Sequence, residues 1–278
     1  MLRHMAKLGS ALTAAKPAAV LVLAKAFAIL DLFTRENPTH DLAAIQQATG
    51  LPLSTCNRIA QSLVAGGLLS RSPEGFQVGA AVLRLAGAAV EQNEPVDLVA
   101  PYVSELRDAT GETSGFFVSD GANRVCVLVA EATHSLMRRL SVGHALPLHV
   151  GAPGRVLLAY SSHARDAAEA ELREAFTDST KTEWADVELA LAKVVQDGVA
   201  VSEGEWEAGL SGVAAPVWAS DGALLGAIGI SAPTSRVTKS DLRRLRELVR
   251  TAANRASLRL GFFGSPGQEH GRESTARA

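Results

Sequence analysis

The sequence predicts an α+β chain in two domains: a winged helix-turn-helix, then an α/β domain built on a mostly antiparallel sheet. Three observations lead there. Between Asp41 and Val78 two short amphipathic helices meet at a Gly-Pro turn and run into a β-ribbon. Beyond Pro95, short extended runs punctuated by turns such as Asp221-Gly222 share the chain with helical patterns, as in a sheet with helices packed on it. A length of 278 residues exceeds one small domain and lets two domains each bury a core.

Residues 1–17 lack periodicity and are expected to form a flexible arm. Pro17 suits the first turn of a helix over Ala18–Phe33, with Leu23, Ala26, Phe27, Leu30 and Phe33 turned inward, and Glu36-Asn37-Pro38 ends it. A second helix starts after Thr39 or Asp41 as N-cap, turns Leu42, Ile45, Ala48 and Thr49 inward, and stops at Gly50 ahead of Pro52. In the next helix Cys56, Ile59, Ala60, Leu63 and Val64 form one apolar stripe at helical spacing. Its opposite face presents Ser54, Thr55, Asn57, Arg58, Gln61 and Ser62, with no carboxylate to repel phosphate, which suits a major groove. Two helices around a Gly-Pro turn also fit a plain helical hairpin. What favours the DNA reading is Leu68–Val78, two extended runs around Pro73-Glu74-Gly75, a wing that carries Arg71.

The winged domain is expected over 18–79 and an Ala-rich helix over 80–95, with Val82, Leu85, Ala86 and Ala89 on one face. That helix either contacts a second copy or serves only its own domain. Residues 96–262 form the second domain. Val96–Thr110 reads as a helix, Thr113–Ser119 and Arg124–Glu131 as a hairpin, and Met137–Val142 as a third strand ending at Gly143. Pro147–Val150 leads to a Gly151-Ala152-Pro153-Gly154 turn that opens a helix over Arg155–Ser161. Helices over Arg165–Phe176 and Trp184–Gln196 follow, then strands over Val199–Ser202, Leu210–Trp218 and Leu224–Ser231. A helix over Lys239–Leu260, capped by Thr238 with Asp241, closes the domain. Residues 263–278 read as a disordered tail.

Composition narrows the function. The first 90 residues hold eight Lys and Arg against four Asp and Glu, leaving 19 against 25 for the rest, so the basic end is the helix-turn-helix end. Cys56 and Cys126 sit in apolar runs without metal or disulfide spacing, and no cofactor or metal is expected. His144 and His149 fall on opposite faces if their strand is regular, which disfavours a shared metal. Phosphate-loop and nucleophile-elbow signatures are absent. No uninterrupted apolar stretch approaches the roughly 18 residues of a membrane span, so a cytoplasmic protein is expected.

The segments AKAFAILDLF, GLPLSTCNRIAQSLVAGGLL and FQVGAAVLRLA, followed by LPLHVGAPGRVLLA and GVAVSEGEWEAGLSGVAAPVWASDGALLGAIGISAP, resemble the IclR-type transcriptional regulators over roughly residues 20–260. The resemblance implies a GAF-like effector domain, dimer contacts on the linker helix, and a regulator that binds double-stranded operator DNA as a dimer or tetramer. Half-sites would then lie one helical turn, ~34 Å, or a multiple apart. Repression is expected over activation. Without the resemblance, an enzyme with a DNA-binding head or a constitutive DNA binder remain as alternatives.

The effector is expected to be a small organic acid. On physical grounds the 151–154 corner is either an ordinary strand-to-helix turn or an anion site made of free helix amides. The resemblance favours the second and adds the strands Ser202–Gly212 and Ala227–Ser231. The expected pocket comprises Gly151, Ala152, Pro153 and Gly154 for the carboxylate, and Ser202 and Ser231 for other polar groups. Leu146, Leu210 and Ile228 are expected as walls; Arg138 is either a further carboxylate partner or a solvated arginine at the strand edge, and Trp206 is either a lid or, the commoner case for a loop Trp, packed on its own domain. Gly212 and Gly229 stand where family members often carry Cys or Ser, and Ala152 and Pro153 replace small polar residues. These departures favour an acid larger than a two- or three-carbon one, an aromatic acid being expected, with the strand glycines marking close approach to the backbone.

Overall fold

A computed structural model describes residues 20–34, 37–91, 94–132, 140–171, 173–237 and 239–264, which divide into compact units at Asn93/Glu94. The expected arm over 1–17, the helix start at Pro17 and Ala18, Arg138 and the Thr238 cap lie outside the described residues, as does the expected tail from 265 onward.

The first unit holds α1 (Leu21–Leu30), β1 (Thr39–His40), α2 (Leu42–Thr49), α3 (Leu53–Ala65), β2 (Leu69–Ser72), β3 (Gly75–Val78) and α4 (Ala80–Glu91). Asp41 caps α2 by accepting from the Ala44 amide at 2.7 Å, and Gly50 ends it at φ 67°. Thr49 and Gly50 thus set the tight entry to α3, whose Cys56, Ile59, Ala60 and Leu63 are buried against Ile45, Leu69 and Phe76. The wing hairpin pairs Leu69 with Val78 and Ser72 with Gly75, leaving Pro73 and Glu74 as its two-residue tip. An unexpected short strand, β1, adds to β3, so the ribbon becomes a three-stranded sheet in the order β1-β3-β2.

The inward face of α1 is the expected one only at Ala26, Leu30 and Phe33. Ile29 and Leu32 are buried, with Ala26, Leu30 and Phe33 beside them, whereas Leu23 and Phe27 are 53% and 54% exposed. The run Val20–Phe27 is apolar almost all round, so spacing alone could not select a face. The helix also ends at Leu30, short of Phe33.

The second unit runs α5 (Glu94–Thr110), β4 (Thr113–Asp120), β5 (Asn123–Ala130), β6 (Ala145–Pro147), α6 (Gly151–Tyr160), α7 (Ser162–Glu169), α8 (Trp184–Asp197), β7 (Ala200–Glu203), β8 (Leu210–Trp218), β9 (Leu224–Pro233) and α9 (Lys239–Arg259). Its strands form an antiparallel sheet in the order β6-β5-β4-β9-β8-β7. Strand alternation sorts the core into two layers. Phe116, Val213, Ala215, Ile228 and Ile230 meet α5 and α9 on one face, and Ala214 and Ala227 meet α6 and α8 on the other. Burying Phe116 and Ile228 completely contributes about 1.5–3 kcal/mol each.

Three expectations for this unit are corrected. Leu140–Val142 form no strand, and the third strand of the hairpin is β6, three residues further on. The helix expected from Arg155 starts at Gly151, because Pro153 falls in its first turn, where an amide has no intrahelical partner to lose. The helix expected over Arg165–Phe176 is Ser162–Glu169, capped by the Ser161 hydroxyl. Phe262 packs on Trp218 with ring centroids 5.9 Å apart, extending the domain to the edge of the tail.

Candidate functional site

On the first unit, the solvent face of α3 carries Ser54, Asn57, Arg58 and Ser62 exposed, with Thr55 and Gln61 half-buried. Gln61 donates to the Asn57 carboxamide at 3.3 Å, so the two amides, one turn apart, hold each other in place. Arg58 extends from the middle of this row with no carboxylate beside it on the helix. Arg71 stands exposed on β2, its guanidinium 5.3 Å from the Phe76 ring that faces it across the hairpin. That stacking directs a cation along the wing. The sequence-predicted DNA residues therefore occupy one helix face and one wing strand of a single compact unit.

On the second unit, β4, β8, β9 and the first turn of α6 enclose a cavity of ≈ 60 Å³. Of the expected pocket residues, Gly151, Ala152, Pro153, Ser202, Leu210, Gly212, Gly229 and Ser231 line it, as does Trp206. Three do not. Leu146 is buried away from it, Ile228 belongs to the opposite layer, and Gly154 presses on the preceding turn. A Cβ on Gly154 would lie 2.1 Å from the Leu148 carbonyl oxygen, so this glycine serves helix docking.

The strand glycines have packing reasons too. A Cβ on Gly229 would meet the Val213 carbonyl at 2.6 Å, and one on Gly212 would meet the Ser202 hydroxyl at 3.0 Å. Close approach is real, and the chain's own backbone and Ser202 already supply it, while both glycines still line the cavity.

The amides at the start of α6 are already engaged. The Gly151 amide donates to Oε2 of Glu205 at 3.0 Å, the Ala152 amide donates to the Ser202 hydroxyl at 3.0 Å, and Pro153 has none to offer. Oε1 of Glu205 forms an ion pair with the guanidinium of Arg155, itself buried, and lies 3.9 Å from Nζ of Lys181. The expectation that an effector carboxylate sits on the amides of residues 151–154 is corrected at Gly151, whose amide already holds the Glu205 carboxylate, and at Ala152, whose amide holds the Ser202 hydroxyl.

Arg124 is the residue that sequence reasoning missed. It is 5% exposed, lines the cavity from β5, and lies 4.9 Å over the Phe117 ring. Strand alternation sends Phe116 into one core layer and Phe117 toward the cavity. Among the described residues the only side-chain hydrogen bond of Arg124 is from Nε to the Val150 carbonyl at 3.3 Å. Burial lowers its pKa to about 10, so it stays cationic at neutral pH. Cys126, on the same strand, is pushed up to about 12 by burial and is an inert thiol.

His144 and His149 part company: the His144 ring is 5.1 Å from that of Trp206, and His149 Nε2 lies 3.0 Å from the Glu174 carbonyl. Burial lowers the pKa of His149. Among the described residues no group of His, Cys, Asp and Glu has the arrangement of a metal site, and no helix is long and apolar enough to cross a membrane.

Comparison with known proteins matches residues 22–73 to the IclR helix-turn-helix domain and residues 87–258 to the bacterial transcriptional regulator IclR C-terminal domain. The chain is 28% identical over 242 residues to the HTH-type transcriptional regulator XynR of Escherichia coli, spanning 86% of this chain and 96% of that one. It is 26% identical to the DNA-binding transcriptional repressor YiaJ of Escherichia coli, over 89% and 90% of the respective chains. Among solved structures it is similar to an IclR transcriptional regulator from Silicibacter sp. TM1040, with TM-score 0.76, 27% identity, and 88% and 98% coverage. It also shares the fold of an IclR homolog from Microbacterium hydrocarbonoxydans complexed with 4-hydroxybenzoate, with TM-score 0.70, 22% identity, and 86% and 98% coverage.

Proposed function

The chain belongs to the IclR family of transcriptional regulators, and from that premise we propose that it represses transcription from an operator whose affinity is set by a small organic acid held on Arg124. The family assignment makes it a regulator rather than an enzyme, with DNA as its partner. The exposed face of α3 reads the major groove, and Arg71 steadies the wing on the backbone. The linker helix α4 supplies the seam of a homodimer through the face that carries Val82, Leu85 and Ala86, on which Leu85 is 59% exposed and Ala86 is exposed too.

The observation that carries the effector reading is Arg124, a buried cation facing a cavity with one side-chain hydrogen bond to protein among the described residues. Burial disfavours its charge unless an anion joins it. A carboxylate matches the fork of a guanidinium. Phe117, Leu140, Trp206 and Leu210 supply apolar walls for the hydrocarbon part. An aromatic acid is consistent with those walls and with the neighbour that binds 4-hydroxybenzoate. The volume of ≈ 60 Å³ is less than half of the roughly 150 Å³ that admits benzene, so a ring enters only as the Trp206 loop moves outward. Calorimetric titration with benzoate, 4-hydroxybenzoate, glyoxylate and pyruvate tests this. Binding of an aromatic acid, lost in Arg124→Met, is the expected result; tight binding of the two small acids alone would overturn the aromatic reading.

A further inference from the structure

The cavity has two positions for a carboxylate, and the chain fills one of them itself. Position one lies at the start of α6, where the Gly151 amide and the Arg155 guanidinium converge on Glu205. Position two lies at Arg124, whose Nη2 would be 3.4 Å from a Cβ on Gly151, so the two positions are neighbours around one residue.

Glu205 is held there by construction. Its segment enters and leaves through Gly204 and Gly209, at φ 65° and 84°, a backbone conformation that side-chain-bearing residues rarely adopt. Its own carbonyl accepts from the Thr180 hydroxyl at 2.6 Å, and the carbonyl of Gly204 accepts from the Thr177 hydroxyl at 2.5 Å. The Arg155 guanidinium is fixed in turn by donating to the Val201 carbonyl at 2.5 Å. Glu205 and Arg155 are 4% and 7% exposed; both border an outer cleft of ≈ 1180 Å³, and Glu205 lines the cavity as well. Glu205, backed by Arg155, thus stands between cleft and cavity.

We infer that Glu205 is a tethered occupant of the first carboxylate position, which makes the site selective for monocarboxylates. This rests on the reading of Arg124 as the effector's anchor. Arg155 and Glu205 neutralise each other, leaving Arg124 as the cation to be matched, and one carboxylate matches it. A second carboxylate on the same ligand would face that of Glu205, and like charges at close range in a water-poor cavity repel strongly. Neutral or hydrogen-bond-donating substituents meet no such barrier. The glycine-hinged segment also places Trp206 over the cavity immediately after Glu205, so loosening the carboxylate loosens the cover.

The experiment uses the full chain as wild type, Glu205→Ala and Glu205→Gln. Thermal unfolding of Glu205→Ala is followed against sodium formate, with sodium chloride at equal ionic strength as control. Formate should raise the midpoint saturably in the variant and at least ten-fold less effectively in wild type, because it replaces the missing carboxylate. Equal responses of the two proteins would overturn the inference. Should Glu205→Ala not fold, Glu205→Gln decides, since the carboxamide oxygen still accepts from Gly151. Its affinity for succinate and phthalate should rise at least ten-fold, against little change for butyrate and benzoate, and unchanged diacid affinity would overturn the inference. Formate rescue without any acid binding to wild type would fail the effector reading alone, whereas acid binding to wild type without rescue would fail this inference alone.

Discussion

Replacing Arg124 by Met should separate binding from stability. The fall from the ordinary guanidinium value to about 10 corresponds to roughly 3 kcal/mol of unfavourable burial in the ligand-free protein. Met removes that cost, and loses a stacking contact with Phe117 worth about 1 kcal/mol and a long hydrogen bond to Val150 worth about 1–2 kcal/mol. The opposing contributions nearly cancel, so urea unfolding should place the variant within about 1 kcal/mol of wild type. Acid binding should instead weaken by about 2–5 kcal/mol, at least ~30-fold, because a buried charge partner has gone. The pH dependence has a definite sign. The folded-state value is lowered, so the cation is lost as pH rises through about 10, and acid affinity should hold from neutrality to about pH 9 and fall above it. A variant destabilised by more than about 2 kcal/mol that binds acids as wild type does would make Arg124 a structural residue and refute the reasoning.

Three further outcomes are expected. Arg58→Ala should weaken operator binding by roughly 1–3 kcal/mol in fluorescence anisotropy with an unchanged circular dichroism spectrum; unchanged affinity would show that the α3 face is not the reader. Leu85→Glu would place an unpaired carboxylate in the proposed dimer seam at a cost of several kcal/mol, so sedimentation should show a smaller species, and the parent oligomer would rule α4 out as the interface. Gly154→Ala should destabilise the effector domain by about 3 kcal/mol or more in chemical denaturation, because the added methyl meets the Leu148 carbonyl, which belongs to the backbone and cannot rotate away. A loss below about 1 kcal/mol would mean that α6 shifts freely.

The helix-turn-helix was legible because its elements are local. A cap at Asp41, a left-handed glycine at residue 50 and an unambiguous stripe from Cys56 to Leu63 each act over a few residues. The hairpin strands β4–β5 and β8–β9 were legible for the same reason, their turns being written as Asp120-Gly121 and Asp221-Gly222, whereas β1 and β6 had no such signal. The face of α1 was not, since Leu21–Phe27 offers two apolar stripes and only tertiary packing chooses Ile29. The start of α6 was misread because Gly151-Ala152-Pro153-Gly154 looks like a turn, whereas Leu148 demands a bare Cα at residue 154. The pocket was legible in outline and not in its charges. Arg124 shares strand parity with Cys126, a sign of an inward cation that was available and unused. Its contacts with Val150, like those of Glu205 with Gly151 and Arg155, join segments 26 and some 50 residues apart, beyond the reach of any local pattern.

An acid at Arg124 and DNA at α3 are linked in the proposed regulator, and one measurement reads that linkage directly. Anisotropy titrations of a labelled duplex from the region adjoining this protein's own reading frame, with and without a saturating organic acid, are run on wild type and Arg124→Met. Wild type should change its DNA affinity by 1–3 kcal/mol, about 5- to 150-fold, when the acid is present, and Arg124→Met should bind the duplex as tightly as acid-free wild type and show no response. An equal response in both proteins, or DNA binding indifferent to every acid that binds the domain, would contradict the account.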